Sequence, residues 1–204
     1  MDQDPILSLQ KEFEKMPSIG AKSALRMVYF YIYNKNNIPF LEKALNDVYL
    51  NIENCNICHM ITHKDKNPCV YCSDSKRNKY QICVVENTTD LLSIEKSNSY
   101  KGLYHVLGGV ISPLSNIKEE DLYIKDLLRR VKSINEEDSI EIILATNFTV
   151  EGDATATYIK NLLKDIHNVH FTRLASGLPA GSDLEYVDSY TIGRAIDKRS
   201  DYGI

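Results

Sequence analysis

Four cysteines, in the arrangement Cys55-x-x-Cys58, ten intervening residues, then Cys69-x-x-Cys72, are the side chains best spaced to do chemistry together. Two short Cys-x-x-Cys turns facing one another can set four thiolates tetrahedrally around a zinc ion. Two disulfides are the other use of four cysteines, but they need an oxidising compartment, and the acidic, polar N-terminal residues do not read as an export signal. The surrounding residues are polar (Asn54, Asn56, His59, His63, Lys64, Asp65, Lys66, Asn67, Ser73), so the segment is expected to bury little apolar surface of its own. Metal should then supply much of its folding free energy, about 10–16 kcal/mol in small zinc domains. Four thiolates leave zinc no open position, so its expected role is structural. Cys83 lies in an apolar run and reads as a reduced core thiol.

The run Met16-Pro17-Ser18-Ile19-Gly20-Ala21-Lys22-Ser23-Ala24 is a tight turn between two helical patterns, and it resembles the hairpin of a helix-hairpin-helix motif. Such a turn presents backbone N–H groups at a helix N-terminus, where donors and dipole together bind phosphate. Lys22 and Arg26, four residues apart on one helix face, can add charge to that track, which makes them the candidate DNA-binding residues. Ser18 stands where the usual hairpin has glycine, which matters if that position needs a positive φ. An ordinary helix corner with solvated basic residues is the plainer reading.

Carboxylates form a third constellation. Glu86 follows the apolar Ile82–Val85, and Glu151 and Asp153 follow Ile142–Ala145 by a few residues. Parallel α/β sheets place function at such strand ends. The pattern is similar to the Toprim fold, in which a glutamate after the first strand joins a later Asp-x-Asp to hold magnesium. The Asp-x-Asp positions here are Asn147 and Thr149, so Glu86, Glu151 and Asp153 are expected to bind magnesium weakly at most, and to serve as a partner-binding surface instead. Helix N-terminal or solvated acids are the alternative. His105 is expected to be a hydrogen-bonded strand residue, and neither a Walker phosphate loop nor a Ser/His/Asp set is legible.

The elements that must position these residues follow from periodicity. Residues 6–16, a stretch from about Lys22, and about Pro39–Ile52 read as helices. Beyond Tyr80, strands at Ile82–Val85, Leu103–Leu107, Ile140–Ala145 and Val169–Leu174 alternate with helices at Thr88–Ser97, Leu122–Val131 and Ala154–Leu163. A last helix falls near Val187–Ile196. That alternation predicts a largely parallel sheet covered on both faces. The expected fold is therefore multi-part, α+β and α/β. A helical helix-hairpin-helix module occupies 1–53, a C4 zinc finger 54–73, a Toprim-like domain 80–175, and a C-terminal segment 176–204. The chain is 43% hydrophobic and 25% charged, ordinary for a soluble globular protein, with a formal net charge of −4 that disfavours a uniformly basic nucleic-acid coat but allows a local stripe. No apolar run is long enough to span a bilayer, so no membrane role and a cytoplasmic location are expected.

Taken in order, the hairpin, the four cysteines, His105–Leu114, Ala145-Thr146-Asn147 with Glu151-Gly152, Thr172-Arg173-Leu174-Ala175 with Gly177-Leu178-Pro179, and Asp183-Leu184-Glu185-Tyr186 resemble the bacterial RecR recombination mediators over nearly the whole chain. Departures are Ser18, Asn116-Ile117-Lys118 where that family commonly has Gly-Ile-Gly, and Asp153 where glutamate is usual. The resemblance implies a non-enzymatic, nucleoid-associated DNA-repair protein that assembles into dimers and ring tetramers around single-stranded or duplex DNA without regard to sequence. It further implies work with RecO, and with RecF where present, to load RecA on strands coated by single-strand-binding protein. By position, Lys22 and Arg26 would face DNA, Cys55, Cys58, Cys69 and Cys72 would hold zinc, Glu86, Glu151 and Asp153 would meet partners, and the C-terminal segment 176–204 would serve oligomerisation. The rival readings are a magnesium-dependent Toprim nuclease or topoisomerase-like enzyme, and a zinc-stabilised interaction scaffold that does not touch DNA.

Overall fold

Asp4 and Pro5 start the first helix for local reasons. The Asp4 carboxylate accepts a hydrogen bond from the Ile6 N–H (2.9 Å), and Pro5 sits in the first turn, where a missing N–H is harmless. This helix, α1, runs Pro5–Glu14; α2 spans Ala21–Tyr33, a 3-10 turn covers Lys35–Asn37, and α3 follows over Ile38–Asn51. Phe13, Ala24 and Val28 form the buried centre of α1 and α2, with Ile6, Leu9, Ile19, Met27, Tyr31 and Ile32 packed on them. None of the α3 residues is buried. The computed structural model describes residues 4–134 and 138–199, so the last residues of the expected C-terminal segment 176–204 lie outside the described residues. The chain divides into two units, 1–52 and 53–204.

Strands β1 (Ile52–Asn54) and β2 (Ile61–His63) form a two-stranded ribbon around the first cysteine pair. Four further strands, β3 (Asn78–Val85), β4 (Gly102–Val106), β5 (Ile140–Leu144) and β6 (Val169–Arg173), make an all-parallel sheet in the order β4-β3-β5-β6. Successive side chains along a strand point to opposite faces. Ile82 and Val84 therefore join Ile140, Ile142 and Leu144 on one face, covered by Ile124, Leu127 and Val131 of α5 (Ile124–Lys132) and by Ala156, Ile159 and Leu163 of α6 (Val150–Leu163). Cys83 and Val85 face the other way with Tyr104, Val106 and Ala145. There they meet Leu91 of α4 (Thr88–Lys96) together with Cys55, Cys58, Met60 and Cys69. Burial on both faces explains the unbroken apolar runs of these strands. A last helix, α7, spans Ser189–Asp197.

Several expectations need correction. The zinc segment is not an island with little to bury: Cys55, Cys58 and Cys69 are fully buried and supply part of the cover for one sheet face. The helix expected from Ala154 begins at Val150, because Thr149 caps it by accepting the Gly152 N–H (3.0 Å), which puts Glu151 and Asp153 in its first turn. Ribbon strands of three residues are too short to show a period, and β1 and β2 were not anticipated. Two replacements of the usual glycines keep a left-handed backbone, Ser18 at φ +64° and Asn116 at φ +55°; asparagine tolerates that region better than most side chains.

Candidate functional site

The cysteine site is built from two turns and one asparagine. Cys55 N–H donates to the Met60 carbonyl (2.8 Å) and His59 N–H to that of Cys55 (2.9 Å), while Ser73 N–H closes the second turn on Cys69 (3.0 Å). Asn67 ties the turns together: its Oδ1 accepts from Asn56 N–H (3.0 Å), and its Nδ2 donates to Glu53 Oε1 (2.5 Å) and to the Asn54 carbonyl (3.3 Å). The four sulfurs all lie within 4.8 Å of one another, with Cys58 and Cys69 3.5 Å apart. Metal–sulfur bonds of about 2.3 Å give a tetrahedron with edges of about 3.8 Å, so this donor set fits zinc. The hydrogen bond with Cys58, joined by one from Cys72, holds Cys69 far below the ordinary thiol range. Cys69 N–H also donates to Cys55 Sγ (3.3 Å).

Contacts beyond the sulfurs fasten this centre to the sheet. Val106 N–H donates to the Cys58 carbonyl (2.8 Å). The His59 ring stacks on Tyr123 (centroids 3.8 Å apart, planes 1° from parallel), and its Nε2 lies 3.0 Å from Asp126 Oδ2. His105 is buried with Nε2 2.8 Å from the Tyr123 carbonyl, as expected of a strand histidine. Burial above all pushes its pKa down to about 3, so the ring is neutral.

At the hairpin, Gly20 starts α2 with no side-chain cap among the described residues. Lys22 and Arg26 are exposed, on the side away from buried Ala24 and Val28, and neither enters an ion pair among the described residues. Arg26 borders a concavity of about 470 Å³ with Ser23, Met27, Phe30 and Tyr31.

The carboxylates come together at the C-terminal rim of the sheet, where Glu86 and Asp153 face nitrogen donors. Glu86 is only 7% exposed; its Oε1 accepts from the Asn147 backbone N–H (2.7 Å) and its Oε2 from Asn147 Nδ2 (2.8 Å). Asp153 Oδ1 lies 2.5 Å from Arg173 Nη2, and its Oδ2 3.6 Å from Arg194 Nη1. Arg173 also donates to Thr146 Oγ1 (3.1 Å) and to the carbonyls of Thr146 (3.4 Å) and Asn147 (3.3 Å). Both guanidinium carbons stand over the Phe148 ring, at 4.9 and 4.8 Å from its centroid. Gly152 has no room for a side chain, since a Cβ would lie 2.2 Å from the Asn147 carbonyl oxygen. Glu86 spends both oxygens on Asn147 donors and Asp153 is paired with Arg173 and Arg194, an arrangement that fits a magnesium ion poorly. Glu151, half-buried, is the one of the three acids whose carboxylate enters no ion pair or hydrogen bond among the described residues. Sequence reasoning missed Asn67, Phe148, Arg173 and Arg194, whose partners are distant in the chain and follow no periodic pattern.

Comparison with known proteins accords with this geometry. Residues 80–175 match the family model of the Toprim domain, and residues 177–200 match that described as RecR, C-terminal. The recombination protein RecR of Chloroherpeton thalassium is 44% identical over 196 residues, and that of Chlorobaculum parvum 42% identical over 194, each covering 95% of both chains. The chain belongs to the RecR family. The resemblance read from the order of motifs is therefore correct. The RecR C-terminal match contains Arg194, and the Toprim match contains Phe148, Asp153 and Arg173, so the ion network at the rim joins the two matched segments.

Proposed function

We propose that this RecR-family chain is a non-enzymatic recombination mediator in DNA repair that holds nucleic acid in an oligomeric clamp. The observation that carries the reading is the start of α2, an uncapped helix N-terminus flanked by exposed Lys22 and Arg26. Unpaired N–H groups, the helix dipole and two free cations make a small phosphate site that ignores base sequence. One such site is weak. Several held in a dimer or ring tetramer raise the effective concentration and can multiply affinity by roughly 10²–10⁴. The apolar, unburied α3 supports self-association: Phe40 is 73% and Tyr49 80% exposed, and a helical unit of this size with so small a centre gains stability from a second copy.

In this reading zinc at Cys55, Cys58, Cys69 and Cys72 is structural, and the chain works with RecO, and with RecF where it occurs, to load RecA. Of the rim acids, Glu151 offers its carboxylate to a partner, while Glu86 orients Asn147 and Asp153 orients the arginines. A magnesium nuclease is disfavoured because Asn147 satisfies Glu86 with neutral donors where such an enzyme would share a cation. The test is equilibrium binding to a duplex with a single-stranded tail across a salt series. Wild type should weaken linearly on logarithmic axes, and Lys22→Ala/Arg26→Ala should bind at least about ten-fold more weakly with a slope shallower by about 1–2, at unchanged zinc content and oligomer mass. Equal affinity and slope would reject the hairpin as the DNA contact.

A further inference from the structure

Helix α7 poses a question of attachment. None of its residues is buried, and residues 174–188, which tether it to β6, contain only one 3-10 turn, Leu184–Tyr186. The apolar packing beneath it is incomplete, with a cavity of about 280 Å³ bordered by Phe148, Ser176, Tyr190, Thr191 and Arg194. Yet the Arg194 side chain is only 20% exposed, because it lies against the Phe148 ring and reaches Asp153. Arg173 approaches the same two residues from β6, and its Nε is buried with no partner. Two arginines, Arg173 and Arg194, stand among the rim acids Glu86, Glu151 and Asp153, while Asn147 and Thr149 carry no charge.

We propose that the rim, where a Toprim enzyme would hold its metal, is here a guanidinium lock. Arg173 supplies the positive charge among Thr146, Asn147 and Asp153, and the Asp153 carboxylate and Phe148 ring that it braces hold Arg194, docking α7. The C-terminal helix and the rim are thus one unit, and α7 is fastened by charge and ring stacking rather than by a buried apolar face. This stands apart from DNA binding and does not depend on it.

Hydrogen exchange on the full-length, zinc-loaded protein tests the lock. Arg194→Ala should speed amide exchange across residues 189–197 by about five-fold or more, the scale of one partly buried ion pair with a cation–π contact, while residues 78–145 and zinc content stay unchanged. Asp153→Asn should act alike, and the double variant should exchange no faster than the quicker single, because both remove one interaction. Lys160→Ala, a cation on α6 outside the network, should leave α7 as in wild type. Unchanged exchange in Arg194→Ala, or additive effects in the double variant, would overturn the lock. Millimolar magnesium should leave the thermal midpoint of the wild type unmoved; a rise that Glu86→Gln abolishes would overturn it from the other side, by revealing a metal site.

Discussion

Ser18 carries the strain of the hairpin. A non-glycine side chain at φ +64° costs about 1–2 kcal/mol, and Ser18 is exposed, so no packing contact offsets it. Ser18→Gly should stabilise the helical unit by about 0.5 kcal/mol, the strain relieved less the added freedom of the unfolded chain. Ser18→Val, β-branched, should lower its thermal midpoint, and circular dichroism melts distinguish the two signs. His105 sets a pH dependence. Its folded pKa, about 3, lies below the ordinary 6.5, so between these values the unfolded chain takes a proton that the folded chain refuses. Stability present above pH 6.5 should therefore drain away as pH falls towards 3, on the order of 4–5 kcal/mol in all. Denaturant titrations of His105→Gln should show a flatter profile over that window; parallel curves would assign the acid sensitivity elsewhere. The cysteine spacing was legible because metal geometry constrains sequence distance directly. The arginines of the rim were not, since Arg173 and Asp153 are twenty residues apart and Arg194 is farther still.

At the scale of elements, the four-cysteine centre serves as a wall of the α/β domain. Cys55, Cys58 and Cys69 share a core with Val85, Leu91, Tyr104 and Val106, and Arg77 reinforces the seam by pairing with Glu95 (2.7 Å) while standing over the Tyr71 ring at 4.7 Å. Chelation of the metal, or Cys58→Ser, should therefore expose β3, β4 and α4 as well as the cysteine turns. Hydrogen exchange should rise over residues 80–106 together with residues 53–73, and metal analysis should give one zinc per chain in wild type. Loss confined to 53–73 would return the segment to the status of a separate finger. The strands were readable because burial on both faces leaves continuous apolar runs. The packing of the cysteines against them was not, because cysteine chosen for metal and cysteine chosen for burial look the same in one sequence. The start of α6 was hidden for a related reason: Val150–Asp153 is polar enough to pass for loop until the Thr149 cap is seen.

For the whole molecule, the excess of acid over base need not oppose nucleic-acid binding if copies gather their hairpins inward. Leu45 and Tyr49 lie one turn apart on α3 and are largely exposed. Leu45→Glu/Tyr49→Glu should keep helicity yet shift light-scattering mass downward and weaken DNA binding along with it; full mass in this variant would place self-association on another surface. Asn147 feeds two donors into Glu86, and Gly152 is pressed against the Asn147 carbonyl, so this corner admits little stepwise change. Asn147→Asp alone would set two carboxylates face to face and forfeit a hydrogen bond to a buried acid, a loss of about 1–3 kcal/mol. Removing Arg173 alone would leave Asp153 only its longer ion pair with Arg194, at 3.6 Å. A mutational walk towards metal chemistry must cross both losses before any cation rewards it, whereas Glu151, half-buried and with no carboxylate partner among the described residues, can drift by itself. Such a chain is free to exchange companions and is held to its present chemistry.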